Sequence, residues 1–414
     1  MRVLLINAVS GIRSTGRMCT EIADYLNDHG EECFIAYSAG IPYQKDYRIG
    51  SPMDVRIHGL LSRVSGTQAY FSKHATRKLL QFMDDLQPDV VHLHNLHSNY
   101  INLRMLAEYL KEKDIPTVLT LHDCWFYTGK CCHYTVDKCP KWKDACGQCP
   151  RLKNDNPSWF FDRTKKMLKD KKQLFAGIPR LAVIGVSDWI TGETKKSILQ
   201  SAKMIRRIYN WIDTEVFRPV EADELRKSLG LEGRFVVLGV ASVWTRDKGL
   251  GGFIRLAELL PENMAIVLVG NIGCDLVVPG NILHVPETND VEELVKYYSM
   301  ANVFLNLSSE ESFGKVAAEA MACGTPVISN GSTANPELVR PGCGYILEEN
   351  NIGEIISALK EIELQGPDYY WETCIGNARK NFSKADRIED YIGVYREISN
   401  QQSGGSPRKG HHPA

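Results

Sequence analysis

Short apolar runs of strand length alternate with amphipathic helical stretches along this chain, and the series occurs twice. Such alternation predicts βαβ units, in which the strands are parallel and helices cover the sheet. A chain of 414 residues is long enough for two such domains, each with its own core. The predicted fold class is therefore α/β, with two Rossmann-like domains. The predicted strands are Val3–Ile6, Cys33–Tyr37, Val90–Leu93, Thr117–Leu121 and Leu181–Val186, followed by Phe235–Ala241, Met264–Val269, Ile282–Val285, Val303–Leu307 and Val327–Ser329.

The first series gives way near Asn210 to the segment NWIDTEVFRP, where we place the domain boundary. This predicts a first domain over 1–210, a second over 211–400, and a flexible Gly/Ser/Pro-rich tail over 401–414. Ligands of open parallel sheets bind beyond the carboxyl ends of the strands. We therefore expect the two sheets to face each other across a ligand-binding cleft.

The composition is that of an ordinary globular protein, with 43% hydrophobic and 24% charged residues, which excludes a disordered or fibrous chain. No run of 18 apolar residues could form a transmembrane helix. The opening MRVLLINAVSG reads as a first strand rather than a signal peptide. We therefore expect a cytoplasmic protein.

The formal net charge of −1 hides an asymmetry between the two halves. Residues 1–200 hold 28 Lys/Arg against 21 Asp/Glu, whereas the remainder holds 21 against 29. A basic cluster beside Trp159, Phe160 and Phe161 fits either contact with an anionic membrane or a solvated helix face. No recognition motif indicates nucleic acid as a partner. The cluster consists of Lys165, Lys166, Lys169, Lys171 and Lys172.

The turn after the first strand contains Gly11 and Gly16, with Ser14 and Thr15 before a predicted helix. Glycine lets the backbone approach a phosphate closely, and the free N–H groups of a helix start can bind one. The G-x-G-x-x-G fingerprint is absent. The turn therefore fits a phosphate-binding role at Gly16 or a plain strand-to-helix connection.

His122 follows the strand Thr117–Leu121. Its side chain could orient a hydroxyl or a phosphate there, or it could have a purely structural role. His92, His94 and His97 also end a strand, and strand alternation places His92 and His94 on one face. No Cys or carboxylate adjoins them in sequence, so we expect packing and cleft lining from these three rather than metal binding.

Two segments of the second half contain candidate ligand-binding residues. Arg246 and Lys248 precede a helix, where cations and N–H groups can hold a diphosphate, although exposed loop cations are common. In EESFGKVAAEAMACGTPVIS, Glu311 lies in a loop and Glu319 in the second turn of the helix that follows. The loop carboxylate can face a sugar ring, and the helical one can accept two hydrogen bonds from a ribose diol. Between them lie Ser312, Phe313, Gly314, Lys315 and Val316, whose N–H groups can take phosphate oxygens.

Taken together, these motifs resemble the retaining glycosyltransferases of family 4, which have the GT-B fold and build bacterial polysaccharides and glycolipids. The resemblance covers the chain apart from its tail. It rests on the STGR turn, His122, VSDWI near Ser187, NWIDTEVF at Asn210, KG at Lys248, and ESFGKVAAEAMACGTPVI.

The resemblance implies that the second half binds a nucleotide-sugar donor and the first half a glycan or lipid-linked acceptor. Glu319 would hold the ribose, Glu311 the donor sugar, and Arg246 with Lys248 the diphosphate, while His122 would meet the sugar or acceptor. The family's Arg five residues before the Lys is Val243 here, so the role of Arg246 is less directly carried over. The family is thought to use front-face attack, in which the leaving phosphate accepts the acceptor's proton.

The chain has no D-x-D motif, so we expect catalysis without a metal cofactor. Two other functions fit the same architecture. A sugar-nucleotide epimerase would convert the donor alone, and a non-catalytic assembly subunit would bind nucleotide without turnover.

Six of the twelve cysteines lie within residues 124–149. Clustered cysteines in a cytosolic enzyme favour a metal over disulfides, and Cys146-x2-Cys149 is a good half-site for structural zinc. Cys139 and either Cys131 or Cys132 would complete the set, with His133 as a substitute. Some bacterial polysaccharide transferases carry a similar cysteine-rich insertion. The resemblance to that insertion implies that Cys131, rather than Cys132, is the remaining zinc ligand. Free thiols and disulfides are the other interpretations.

Overall fold

The computed structural model describes residues 1–273, 279–288, 290–348 and 351–400. The chain divides into two compact units. Among the described residues, the first comprises Met1–Gly185, Thr191–Arg207 and 388–400, and the second comprises Val186–Ile190 and Ile208–Arg387.

The first unit is built on a seven-stranded parallel sheet. Its strands are β1 (Arg2–Ser10), β2 (Glu32–Gly40), β3 (Asp46–Arg48), β4 (Val90–Leu93), β5 (Thr117–Leu121), β6 (Leu181–Gly185) and β7 (Met204–Arg207). The strand order is β3-β2-β1-β4-β5-β6-β7, and β4, β5 and β6 are buried throughout. Continuous apolar burial is expected for parallel strands that are covered on both faces.

The helices of the first unit connect these strands. They are α1 (Arg13–Asp28), α2 (Pro52–Ser65), α3 (Lys73–Leu86), α4 (Leu103–Glu112), α5 (Thr164–Ala176) and α6 (Asp188–Thr194), with single 3₁₀ turns at Trp125–Tyr127 and Lys141–Lys143. The first residues of α6 belong to the second unit. Helices α1, α3 and α4 bury one apolar stripe each, as amphipathic periodicity predicts.

The second unit contains a six-stranded parallel sheet in the order β10-β9-β8-β11-β12-β13. In chain order, its strands are β8 (Phe235–Trp244), β9 (Met264–Ile272), β10 (Ile282–Val285), β11 (Val303–Asn306), β12 (Val327–Asn330) and β13 (Gly344–Leu347). Its helices are α7 (Asp223–Ser228), α8 (Leu250–Ala257), α9 (Val291–Met300), α10 (Lys315–Ala322), α11 (Asn335–Leu338), α12 (Ile352–Gln365) and α13 (Pro367–Phe382). The last helix, α14 (Lys384–Asn400), starts in this unit and continues into the first.

All ten predicted strands are present, so the α/β fold class with two parallel-sheet units is confirmed. The predicted domain boundary at 210/211 lies close to the change of unit after Arg207. Two short pieces differ from the predicted ranges: Val186–Ile190 packs with the second unit, and residues 388–400 pack with the first. The predicted flexible tail over 401–414 lies outside the described residues.

In each sheet the strand order reverses beside the first strand of the unit, at the β1–β4 pair and at the β8–β11 pair. Loops that leave the carboxyl ends of such a pair diverge and open a crevice. The segments with predicted chemistry follow β1, β4, β5, β8 and β11, which places them at or beside these two switch points.

Candidate active site

Two loops meet at the switch point of the second sheet. Lys248 follows β8 and Glu311 follows β11, and these strands are neighbours with paired residues Val237 and Val303. Lys248 Nζ lies 2.5 Å from Glu311 Oε1 and 3.4 Å from Ser308 Oγ. The structure therefore joins the predicted cation and the predicted loop carboxylate in one ion pair.

Gly249 explains how Lys248 reaches this position. Its φ of +79° is in the left-handed region, and a Cβ at this position would collide with Leu307 on the neighbouring strand end. The chain therefore turns tightly against β11 before α8 begins at Leu250. A glycine after the lysine brings the ammonium close to the loop that carries Glu311.

The Glu311 loop is fixed by bonds to the backbone and by buried amides. Glu311 N donates to Thr333 Oγ1 at 2.9 Å, and Ala334 N donates to Glu311 O at 3.3 Å. Beneath the loop, Asn335 accepts from Asn306 at 3.1 Å and donates to Asn330 at 2.9 Å. Satisfied amides in a low-dielectric interior hold one geometry, so the loop is preorganised.

Helix α10 starts beside this loop. Its N-cap, Gly314, has a φ of +90°, and a Cβ there would lie 3.0 Å from Leu338 Cδ1. Phe313 is buried against Tyr209 and Phe382, which anchors the chain just before the helix. The first N–H groups of a helix have no partner within the helix and remain available to an anion. Of the predicted donor-binding residues here, Ser312, Phe313 and Gly314 are buried, whereas Lys315 and Val316 are partly exposed.

Glu319 lies in the second turn of α10, as the sequence predicted, and is only 7% exposed. The hydroxyl of Tyr298 donates to Glu319 Oε2 at 2.9 Å. Tyr298 is completely buried, and burial together with the adjacent carboxylate raises its pKa well above the usual value. The tyrosine therefore stays protonated and orients Glu319. Tyr298 was missed by sequence reasoning because it appeared as one aromatic residue on an amphipathic helix.

Arg246 and Val243 lie apart from these contacts. Both side chains are exposed, Val243 at 53%. Among the residues that the structure describes, the Arg246 guanidinium has no ion pair or side-chain hydrogen bond. The structure thus connects Lys248 to the site and leaves Arg246 on the surface of the loop.

In the first unit, Gly16 is a buried residue in the first turns of α1. A Cβ on Gly16 would lie 3.1 Å from Val9 Cγ2 and 3.2 Å from Val9 O, and its carbonyl accepts from Gly11 N at 3.2 Å. The glycine therefore permits close packing of the helix start on β1. The packing explains why this position is a glycine, and the donor-binding role of Gly16 stays a prediction.

The predicted His122 belongs to a row of imidazoles. Its Nε2 lies 2.9 Å from His94 Nδ1, and the His94 ring lies 4.0 Å from the ring of His92. His92 bonds Tyr395 and Thr120, each at 2.7 Å. His92 and His94 are fully buried, which confirms the predicted packing role for both.

Burial lowers the pKa of His122 to about 4 and the pKa values of His92 and His94 well below the usual range. The row is therefore neutral near pH 7. Among the described residues, His122 Nδ1 has no hydrogen-bond partner. It is thus a neutral group that can donate to, or accept from, a ligand hydroxyl.

His97 differs from its neighbours. Its Nε2 lies 3.0 Å from Asp123 Oδ2, and the Asp123 Oδ1 accepts from Trp125 N at 2.8 Å. Burial raises the pKa of Asp123, but His97 and these hydrogen bonds lower it to about 2 overall. Within the described parts of the chain, one group of ligand atoms lies within 4.8 Å of one another, and it comprises His97, Asp123 and Cys132. The carboxylate and cysteine that the sequence did not place near His97 are thus close in space.

The cysteine-rich segment surrounds a cavity of about 20 Å³. All four predicted zinc ligands line it, namely Cys131, Cys139, Cys146 and Cys149. Lys141 Nζ bonds the carbonyls of Gly147 and Gln148, which fixes the turn between the last two cysteines. Cys132 lies instead with His97, so the cavity brings Cys131 rather than Cys132 to the set.

Solved structures with this architecture identify the fold. Anabaena Alr3699/HepE in complex with UDP-glucose matches with a TM-score of 0.67 at 17% identity, over 96% of this chain and 100% of that chain. WaaG, a glycosyltransferase involved in lipopolysaccharide biosynthesis, matches with a TM-score of 0.62 at 15% identity, over 97% and 100%. The chain therefore has the GT-B fold.

Sequence comparison identifies the family. The profile of glycosyltransferase family 4 matches residues 15–216, and that of glycosyl transferases group 1 matches residues 221–387. The putative colanic acid biosynthesis glycosyl transferase WcaC of Escherichia coli (strain K12) is 25% identical over 325 residues, which are 75% of this chain and 77% of that protein. This chain belongs to the group 1 glycosyltransferases, as its motifs predicted.

Proposed function

We propose that this protein is a retaining glycosyltransferase that moves a sugar from a nucleotide-diphosphate sugar to a glycan or lipid-linked glycan in the synthesis of a cell-surface polysaccharide. The observation that carries the proposal is the Lys248–Glu311 pair beside the α10 start and Glu319, in a chain of this family. WcaC is named for colanic acid biosynthesis, and HepE binds UDP-glucose, which supports the substrate classes. A nucleotide sugar as substrate also supports a cytoplasmic location.

The donor would bind across the loops that end β8 and β11. Glu319, oriented by Tyr298, accepts hydrogen bonds from the ribose hydroxyls. Lys248 and the N–H groups at the start of α10 stabilise the diphosphate, and Glu311 faces the sugar hydroxyls. Because these groups are held before the donor arrives, they stabilise charge in the transition state with little reorganisation.

Transfer would break the bond between the anomeric carbon and the phosphate oxygen and form a bond to the acceptor oxygen on the same face. The acceptor's proton passes to the departing phosphate oxygen, so no side chain is required as the base. His122, held neutral, would hydrogen-bond a hydroxyl of the sugar or acceptor. The positive charge of Lys248 and the absence of a D-x-D motif support catalysis without a metal cofactor.

The test begins with thermal melting against UDP-, GDP-, ADP- and dTDP-sugars. A donor at a hundred times its Kd stabilises the folded state by about 2.7 kcal/mol. The selected donor is then incubated with and without lipid-linked acceptors, and the product's anomeric configuration is determined by NMR. An epimer formed from the donor alone would indicate an epimerase, and binding without turnover on any acceptor would indicate an assembly subunit.

We also propose a structural zinc ion in the cysteine-rich segment, bound by Cys131, Cys139, Cys146 and Cys149. Four thiols around one small cavity, with a fixed turn between Cys146 and Cys149, are the donor set of structural zinc sites. The ion would draw the sulfurs together and hold the loop that follows His122. It would take no part in glycosyl transfer.

A further inference from the structure

Helix α2 has the opposite burial pattern to an ordinary surface helix: small and polar residues are buried, and most of its apolar residues are exposed. Its buried residues are His58, Gly59 and Ser62, and His58 Nδ1 bonds Ser72 Oγ at 2.7 Å. Five of its apolar side chains are exposed to solvent at helical spacing, whereas Val55 is partly buried. The five are Met53, Ile57, Leu60, Leu61 and Val64, which are 59%, 51%, 50%, 40% and 39% exposed. A helix that binds the protein through small and polar residues and presents its apolar stripe outward is suited to an apolar environment.

A second apolar feature adjoins the end of this helix. We call Trp159, Phe160 and Phe161 the aromatic turn; the three rings are 46%, 68% and 49% exposed. Trp159 N donates to Arg63 O of α2 at 2.8 Å, which ties the two features together. Lys153 Nζ bonds the carbonyls of Ser158 and Trp159 at 2.8 and 2.7 Å. Hydrogen bonds thus hold the rings outward.

The clustering of these side chains distinguishes them from ordinary exposed residues. Of the 16 large apolar side chains that are exposed in the described residues, eight belong to α2 and the aromatic turn. Scattered apolar residues are normal on a surface, but a contiguous patch indicates a binding partner or a membrane. Two structural elements joined by a backbone hydrogen bond form one such patch here.

The charges around the patch indicate its partner. Arg56 and Arg63 are exposed on α2, and the guanidinium of Arg163 lies 5.3 Å from the Phe161 ring centre. Lys165 and Lys169 are exposed on α5, although Lys171, which the sequence placed in the same basic cluster, is buried and bonds Trp125 O and Thr128 O.

The acids within α2 or directly after the aromatic turn in sequence, Asp54 and Asp162, already accept hydrogen bonds. Asp54 caps α2 through Ser51, and Asp162 accepts from Cys149 N and Thr164. An apolar stripe with aromatic side chains and a rim of cations matches the interface of an anionic bilayer.

We propose that helix α2 and the aromatic turn form a docking surface for an anionic phospholipid membrane. No helix among the described residues is long and apolar enough to cross a membrane, so the contact would be at the surface of the bilayer. The inference goes beyond the proposed transferase activity and rests on this surface alone.

The full chain is sedimented with vesicles of phosphatidylcholine, alone or mixed with phosphatidylglycerol. We expect binding to the mixed vesicles, weakened by salt, and little binding to phosphatidylcholine alone. The variant Ile57→Ser/Leu61→Ser/Phe160→Ser should reduce the bound fraction at least ~10-fold, because three apolar side chains no longer enter the bilayer. The matched control is Leu364→Ser/Tyr369→Ser, which removes exposed apolar side chains from the second unit and should bind like the parent.

Melting temperature checks that each variant folds, and donor-induced melting shifts should be the same in all of them. Equal binding by the parent and the α2 variant, or no binding to either vesicle, would overturn the proposal. A concentration-dependent dimer that the α2 variant abolishes, without vesicle binding, would assign the patch to a second copy of the chain instead. None of these results decides whether the protein transfers sugars, because that proposal is tested separately by the donor and acceptor assays.

Discussion

Lys248 and Glu311 are 63 positions apart in sequence, yet the Lys248 Nζ lies 2.5 Å from Glu311 Oε1. They meet because β8 and β11 are adjacent and parallel, so the loops beyond their carboxyl ends converge. The ion pair fixes the position of the ammonium, as the proposed diphosphate site requires. It also holds the carboxylate in place.

The first prediction concerns Lys248. Replacing it by Met should lower kcat/KM by roughly 10²- to 10³-fold, since one preorganised positive group is removed from the leaving diphosphate. Steady-state kinetics with the selected donor measures the change, and Lys296→Met, an exposed lysine on α9, is the control. Equal activity of the two variants would remove Lys248 from the proposed site.

The second prediction concerns Tyr298. The change Tyr298→Phe removes the hydroxyl that bonds Glu319, and donor Kd should rise by roughly tenfold, as the loss of a hydrogen bond to a charged group implies. Glu319→Ala should weaken donor binding at least as much. Calorimetry measures both. The neighbouring Tyr297→Phe also loses a bond to a glutamate, Glu293, and should leave donor affinity unchanged.

The third prediction concerns Gly249. An alanine there would carry a Cβ into Leu307 in a left-handed backbone conformation, so the free energy of unfolding should fall by at least ~2 kcal/mol. Gly251→Ala, two residues later in an open position of α8, should instead stabilise the protein by about 0.5–1 kcal/mol. Urea unfolding compares the two, and similar values would contradict the close approach to β11.

The fourth prediction concerns pH. His58, His92, His94 and His122 all have lowered pKa values in the folded protein because of burial, to about 4 for His58 and His122. Below about pH 6.5 the unfolded chain binds protons that the folded chain does not, so stability falls as pH drops from 6.5 toward 4. Each such histidine contributes up to ~1.4 kcal/mol per pH unit in this window.

Unfolding free energy measured between pH 7 and 4.5 tests this slope. His94→Gln should make the slope shallower, whereas His74→Gln, which changes an exposed side chain, should not. A flat pH profile for the parent protein would contradict a neutral histidine row.

The fifth prediction separates the two cysteine sets. Cys146→Ser should reduce bound zinc, measured by elemental analysis, and lower the melting temperature, because one of four ligands is lost. Cys132→Ser, whose thiol lies with His97 and Asp123, should retain the metal. Loss of zinc from Cys132→Ser alone would move the site to that other group.

Ten of the thirteen strands among the described residues could be read from local pattern, as could the neighbouring positions of His92 and His94 and the placement of Glu311 in a loop and Glu319 in a helix. The strands that were missed are the short β3, β7 and β13. The Lys248–Glu311 contact could not, because strand order in a sheet is a long-range property. The exposed stripe of α2 escaped prediction for a related reason: helical periodicity identifies an apolar face but not what covers it. Lys171 appeared as one more surface cation, and its burial depends on carbonyls 43 and 46 residues away.

Helix α14 has a consequence for the order in which the protein forms. Tyr395 bonds His92, and Arg180 bonds the carbonyl of Ser399, so the first unit needs the last described helix to satisfy its own buried groups. The second unit ends at Arg387. The ribosome synthesises the N-terminal part of a chain first, and domains generally fold as they emerge. The first unit is therefore synthesised first but should complete its folding last, after α14 has been made. Until α14 emerges, the nascent first unit lacks one of the two hydrogen-bond partners of His92, and its folding should end with the docking of this helix.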